Sequence, residues 1–220
     1  MKYDSEFRKY FSKIPIFTFK DAARFLKKMG ASDAYVKLFI HNQMKRHSLL
    51  RVGRGRYTFS NNEAMVGFAF APFYYGLEHS LTLHKLWTQV SIPVIITTTK
   101  AVPGIRNSMG KRVLVRRISK NMFFGIERIM HNGVFVPVSD IEKTLVDFVY
   151  FNINLSEEET KRVMRECNVE KLARYAKKCN RGIRTRIENM IKDMRSWEHE
   201  QNKKIGQPYL RGYCRPAEFN

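Results

Sequence analysis

Acidic residues are scarce in this chain: 20 Asp and Glu stand against 40 Lys and Arg, which leaves a formal net charge of +20. An imbalance of that size favours a polyanionic partner through counterion release, and such binding weakens steeply with salt. Cysteine is also rare. Cys167, Cys179 and Cys214 are odd in number, far apart and in no C-x-x-C spacing, so neither a disulfide framework nor a structural zinc site is indicated. Long apolar runs are missing too. Met65 to Leu77 is too short to span a bilayer, and no strongly apolar amphipathic stretch is present to lie on one, so no membrane partner is expected. The opening Met1-Lys2-Tyr3-Asp4-Ser5-Glu6 is charged and has no apolar core of a secretory signal, which leads to the expectation of a cytoplasmic protein. No glycine-rich phosphate loop opens a helix, and Ser80 has no nucleophile-elbow glycines around it.

What the chain does have is an ordinary hydrophobic content of 44% over 220 residues, enough for one large domain or two small ones. Its positive charge is unevenly placed. Residues 1–60 hold 14 basic and 4 acidic residues, a net +10, whereas residues 61–150 carry +4 and residues 151–220 carry +6. Half the excess therefore falls in about a quarter of the chain.

That quarter has a recognisable order of elements. Asp4 to Ile14 reads as a helix with Phe7, Tyr10, Phe11 and Ile14 on one side, ended by Pro15, and Ile16 to Thr18 reads as a short strand. A second helix begins near Lys20, capped by Thr18 with Asp21 in its first turn, and ends at Gly30. Ser32 caps a third helix running to about Arg46, with Tyr35, Val36, Phe39, Ile40 and Met44 on one face and Lys37, His41 and Lys45 on the other. Leu49 to Val52 and Arg56 to Phe59 then form a predicted hairpin around Gly53-Arg54-Gly55, whose glycines can take positive φ.

Helix, turn, basic helix and basic hairpin is the order of a winged helix-turn-helix, which points to double-stranded DNA. In that reading Lys37, His41 and Lys45 face the major groove, Ser32 lies near phosphate, and Arg51, Arg54 and Arg56 hold the backbone from the wing. A merely solvated basic face is the bland alternative. RNA is a second, since a basic winged helix can also grip structured RNA.

Ser60-Asn61-Asn62 reads as a linker, dividing a winged-helix domain at 1–60 from a second domain at 61–220. Tyr74 to Trp87 reads as a helix. Pro93 to Thr99, Arg112 to Ile118, Phe123 to Ile129 and Gly133 to Val138 carry strand signals, so a mostly antiparallel sheet is expected to about residue 138. Ser139 with Glu142 suggests a capping box for a helix to about Phe151, and helices from Ser156, Val169 and Ile183 reach about residue 199 before an irregular tail. The expected class is α+β: a winged helix, then a mixed α/β domain with a helical C-terminal part.

Four blocks in this order resemble a known family. They are Arg51-Val52-Gly53-Arg54-Gly55-Arg56-Tyr57, then Tyr75-Gly76-Leu77-Glu78-His79-Ser80-Leu81-Thr82-Leu83-His84-Lys85-Leu86, then Pro93-Val94-Ile95-Ile96-Thr97, and last Val138-Ser139-Asp140-Ile141-Glu142-Lys143-Thr144-Leu145-Val146-Asp147. Together, over roughly residues 16–150, they resemble the AbiEi antitoxin family of transcriptional regulators. The resemblance implies a winged helix that binds promoter repeats and represses its own operon. It also implies a second domain that counteracts a neighbouring nucleotidyltransferase-like toxin without a stable complex, in a type IV toxin-antitoxin system. The helices after residue 152 have no counterpart in that pattern.

Other constellations are weaker. Asp140, Glu142 and Lys143 suggest a metal-dependent nuclease, yet Glu142 and Lys143 are adjacent on a predicted helix and point about 100° apart, so capping and ion pairing account for them better. His79 and His84, with Glu78, are five apart and poorly spaced for a metal. Phe68, Phe70, Phe73, Tyr74 and Tyr75 read as core before they read as base-stacking platforms. Lys177, Lys178, Arg181, Arg184 and Arg186 could touch phosphate or simply be solvated. No catalytic residue, metal or cofactor is assigned. A stand-alone regulator without a toxin, or a DNA-directed nuclease, are the competing functions.

Overall fold

A computed structural model of the chain describes residues 2–205. The first 60 residues pack three helices, α1 (Asp4–Phe11), α2 (Phe19–Lys28) and α3 (Asp33–Lys45), against a small antiparallel sheet of β1 (Phe17–Thr18), β2 (Leu50–Gly53) and β3 (Arg56–Thr58) in the order β1-β3-β2. Thr18 caps α2 as expected, and Asp21 completes a capping box with it: Asp21 N donates to Thr18 Oγ1 at 3.2 Å, and Thr18 N donates to Asp21 Oδ2 at 2.9 Å. Ser32 Oγ accepts from Tyr35 N at 3.2 Å and starts α3. Helix α1 stops at Phe11, three residues before the Ile14 expected from periodicity, because the residue before Pro15 is barred from the helical region and the chain turns off early. Phe7, Phe11, Phe17, Leu26, Phe39 and Leu49 fill the core of this unit.

From residue 63 a 3-10 segment (Glu63–Phe70) leads into β4 (Phe73–Tyr75), α4 (Leu77–Leu83), β5 (Val94–Thr97), β6 (Gly104–Ser108), β7 (Lys111–Arg117), β8 (Ile126–His131) and β9 (Val134–Ser139). Helices α5 (Ile141–Tyr150), α6 (Glu157–Arg165), α7 (Val169–Ala176) and α8 (Arg181–Ile205) follow. The six strands form one sheet in the order β6-β7-β5-β4-β9-β8. Both faces of its centre are buried. Tyr74, Val94 and Ile96 point into a core shared with α4, α5, α7 and α8, while Phe73, Tyr75, Ile95, Val136 and Val138 pack beneath the 3-10 segment.

The α+β class is what the structure has. Four finer expectations change. The sheet is mixed, since β5 runs parallel to β7 and β4 parallel to β9; side-chain alternation marks a strand but not the neighbour it will take. Phe73–Tyr75, expected in part as the start of a helix, is a central strand, because β5 and β9 flank it and supply its hydrogen bonds. β6 has no run of β-branched residues and owes its existence to pairing with β7 across the turn at Met109-Gly110, both at positive φ. Finally, Asp140 rather than Ser139 caps α5, accepting from Lys143 N at 2.7 Å, because Ser139 is still the last residue of β9.

Helix α8 extends to Ile205, past the boundary expected near 199, and the irregular tail with Cys214 lies outside the described residues. Among the described residues no helix is long and apolar enough to cross a membrane.

Candidate nucleic-acid interface

Helix α3 separates its two faces cleanly. Val36, Phe39, Ile40 and Gln43 are buried, whereas Lys37, Leu38, His41 and Lys45 are exposed, Leu38 to 54%. Gln43 is the buried member that apolar periodicity did not mark. Its side chain donates to Asp4 at the start of α1, and Ser48 Oγ donates back to its carbonyl at 3.0 Å, so the C-terminal end of α3 is latched on that face. Tyr35 Oη donates to the Lys2 carbonyl at 3.0 Å, and Lys27 pairs with Asp33 at 2.7 Å across the α2–α3 turn. The helix is thereby held in one rotation, with its basic side turned outward. Ser32 at its N-terminus is exposed, and its oxygen already accepts the capping bond.

The hairpin after α3 turns on two residues, Arg54 and Gly55, with Gly55 at φ +67 and open space where a Cβ would stand. Gly53, expected to supply a second left-handed residue, serves a different need: a Cβ there would sit 2.9 Å from Ala69 Cα, so the glycine lets β2 lie directly on the 3-10 segment. Arg51 is exposed, with Nε donating to Gly53 O at 3.3 Å, and Arg54 is exposed at the tip. Arg56 is half-buried and already engaged. Its two terminal nitrogens donate to Ala69 O at 3.5 Å and Ala71 O at 3.3 Å, which braces the hairpin against the 3-10 segment. Arg51 follows Lys45 by six positions, which keeps their backbones within about 20 Å. Lys37, His41 and Lys45 thus share one exposed helix face, and Arg51 and Arg54 stand on the strand and turn that follow it.

The other constellations take structural positions. Lys143 and Asp147 form an ion pair with no exposed surface, and Tyr74 Oη donates to Asp147 Oδ2 at 2.9 Å. The Lys143 ammonium sits between the Tyr74 and Phe124 rings. Burial pushes the Asp147 carboxyl up to about 6, although Lys143 and Tyr74 pull the other way. Glu142 points elsewhere, to α7, where it accepts from Asn168 N at 2.7 Å and Lys171 Nζ at 2.8 Å. Burial opposes its charge, but those donors outweigh it and hold the carboxyl below its ordinary range. Asp140 accepts from Tyr175 Oη at 2.8 Å. Asp140 and Glu142 are therefore parts of the joint between α5 and α7, while Lys143 is paired inside the core with Asp147 on its own helix.

His79 and His84 face different neighbours. His79 packs on Tyr75 near the start of α4, where burial pushes its imidazole down to about 4, with the nearby His131 adding to the shift. His84 Nε2 lies 2.9 Å from Ser139 O at the helix end. Among the described residues no group of three or more His, Cys, Asp or Glu is arranged to hold a metal ion. Phe73, Tyr74 and Tyr75 are core. Of the distal cations, Arg184 pairs with Glu188, Arg186 bonds to Asn152, Lys178 lies over Phe124, and Lys177 and Arg181 are exposed.

Neither a protein-family model nor a curated protein matches the chain. A solved structure does: the RV2827C protein from Mycobacterium tuberculosis, with a TM-score of 0.58 at 12% sequence identity, covers 87% of this chain and 77% of its own. At that identity the likeness is one of fold.

Proposed function

We propose that the protein is a sequence-specific DNA-binding transcriptional regulator whose first 60 residues act as a winged helix-turn-helix. The observation that carries the reading is α3, rotated by its buried face so that Lys37, His41 and Lys45 all reach solvent, with Arg51 and Arg54 on the hairpin after it. A helix of this kind fits the major groove, and flanking arginines suit phosphate contact. The concentration of +10 in this unit supplies the nonspecific attraction. On the resemblance of four sequence blocks to the AbiEi family, the regulator is the antitoxin and autorepressor of a type IV pair, working in the cytoplasm on promoter repeats against a nucleotidyltransferase-like toxin. A stand-alone regulator is the second reading. It draws on the helices α6 to α8, which lie beyond the blocks that carry the resemblance.

The test is a gel-shift series on the DNA upstream of the gene. Lys37→Ala and Arg54→Ala should each weaken binding, and loss of one phosphate contact should lower the slope of log affinity against log salt by about one. Unchanged binding in both variants would defeat the assignment. Rescue of cells from the adjacent gene product would separate an antitoxin from a solitary regulator.

A further inference from the structure

We propose that the trough between α1 and α2 is a docking surface for an acidic amphipathic helix of a partner protein. Two adjoining depressions form it, one of about 450 Å³ and one of about 590 Å³, and both are lined by Tyr10, Ile14 and Phe25. Tyr10 is 53% exposed although it stacks on Phe25 with ring centroids 4.9 Å apart. Phe11 and Phe17 line the first depression from the core side. The floor is thus apolar, aromatic and open to solvent, in a unit whose own core is already filled by Phe7, Phe11, Phe17 and Phe39.

The rim selects the occupant. Lys9 on α1 and Lys13 in the turn after it border the trough on one side, and Arg24 and Lys28 border it on α2. Among the described residues none of these four cations has a carboxylate within 4 Å. Of the two acids present, Asp21 is turned into the Thr18 capping box and Glu6 stands alone at one end. An amphipathic helix fills such a groove with side chains at i, i+3, i+4 and i+7, and acidic residues along its flanks would meet the four cations. A nucleic-acid backbone could meet the rim but would leave the apolar floor uncovered. A second copy of the chain is disfavoured because residues 1–60, 61–150 and 151–220 are all net positive. None of Lys37, His41, Lys45, Arg51 and Arg54 lines the trough, so this surface is separate from the one assigned to DNA and its test is independent of that reading.

The experiment uses the full chain and a labelled synthetic peptide of about five helical turns, with Leu and Phe at i, i+3, i+4 and i+7 and Glu or Asp elsewhere. Fluorescence anisotropy should show saturable binding that drops roughly tenfold or more in Tyr10→Ala and in the double variant Arg24→Glu/Lys28→Glu. The same composition in scrambled order, and the same apolar pattern with Lys replacing the acids, should bind at least tenfold more weakly. Both variants should keep the wild-type circular dichroism and thermal midpoint to within a few degrees, since Tyr10, Arg24 and Lys28 are exposed. Equal binding of the ordered and scrambled acidic peptides, no loss in Tyr10→Ala, or no binding of the ordered peptide would each overturn the proposal. So would a dimer in sedimentation that Tyr10→Ala abolishes, or displacement of the peptide by oligothymidylate, because either would give the trough another occupant.

Discussion

Arg54 and Arg56 stand two positions apart on one hairpin, yet Arg54 faces solvent while Arg56 reaches back to two carbonyls of the 3-10 segment. Identical side chains therefore do different work. Arg56→Ala is expected to cost about 1 kcal/mol in urea denaturation, the scale of long, partly exposed charge-assisted bonds, while leaving the salt slope of the proposed DNA binding unchanged. A lower salt slope without loss of stability would return Arg56 to the phosphate-binding set. His79 gives the pH-dependent case. Its imidazole is held at about 4 in the folded chain against 6.5 ordinarily, so between those values the unfolded chain takes up a proton that the folded one does not. Stability is then greatest above about 6.5 and falls as pH drops toward 4, by on the order of 1–2 kcal/mol for a ring that is only partly buried. Asp147 acts in the opposite sense between 3.8 and about 6, where the folded chain keeps a proton that the unfolded one loses. Comparing wild type with His79→Gln by denaturation at pH 7 and pH 5 isolates the histidine: the variant should lose less on acidification, and equal losses would reject the account.

Helix α5 shows how one element can be amphipathic and still be buried almost throughout. Its apolar residues Leu145, Val146, Phe148 and Val149 enter the helical core, while Lys143 and Asp147, one turn apart, neutralise each other beneath β4. Glu142 reaches sideways to α7, where Lys171 bonds both it and Asp140. Removing one member of the fully buried pair strands the other, so Asp147→Ala should destabilise by about 3–5 kcal/mol in urea or thermal unfolding. Replacing both, as Lys143→Met with Asp147→Leu, should cost much less, because no lone charge is left behind. A single substitution that costs under about 1 kcal/mol would mean the pair is hydrated in solution. Helix α3 follows a plainer rule: one buried stripe, one basic face, and a polar latch at Gln43 that sets its rotation.

The two halves of the chain meet where β2 lies on the 3-10 segment. Gly53 gives the backbone room there, Arg56 ties across, and the same segment covers the second face of the large sheet with Ala64 and Val66. Ser60 and Asn62 are bonded in sequence to Thr58, Ala64 and Asn132, so the stretch that reads as a linker is pinned at both ends. Calorimetry should therefore find a single unfolding transition for the wild-type chain. Gly53→Val, whose side chain collides with the Ala69 backbone, should split it into two or lower its midpoint by several degrees. Two separate transitions in the wild type would show that the halves unfold independently.

Local chemistry was legible without coordinates: Thr18, Ser32 and Ser156 each act within a few residues of themselves and were readable as helix starts. The exposed positions of Lys37, His41 and Lys45 were readable too, because helical periodicity assigns faces. The tasks of Gly53 and Arg56, the placement of Tyr74 and Tyr75 in a central strand, the parallel pairing of β4 with β9, and the destination of Glu142 were not. Each depends on a partner distant in sequence, such as Ala69 for Gly53 or Asn168 for Glu142. Spacing along the chain determines which side of an element is apolar, but only the folded arrangement decides what that side, or a cation beside it, will touch.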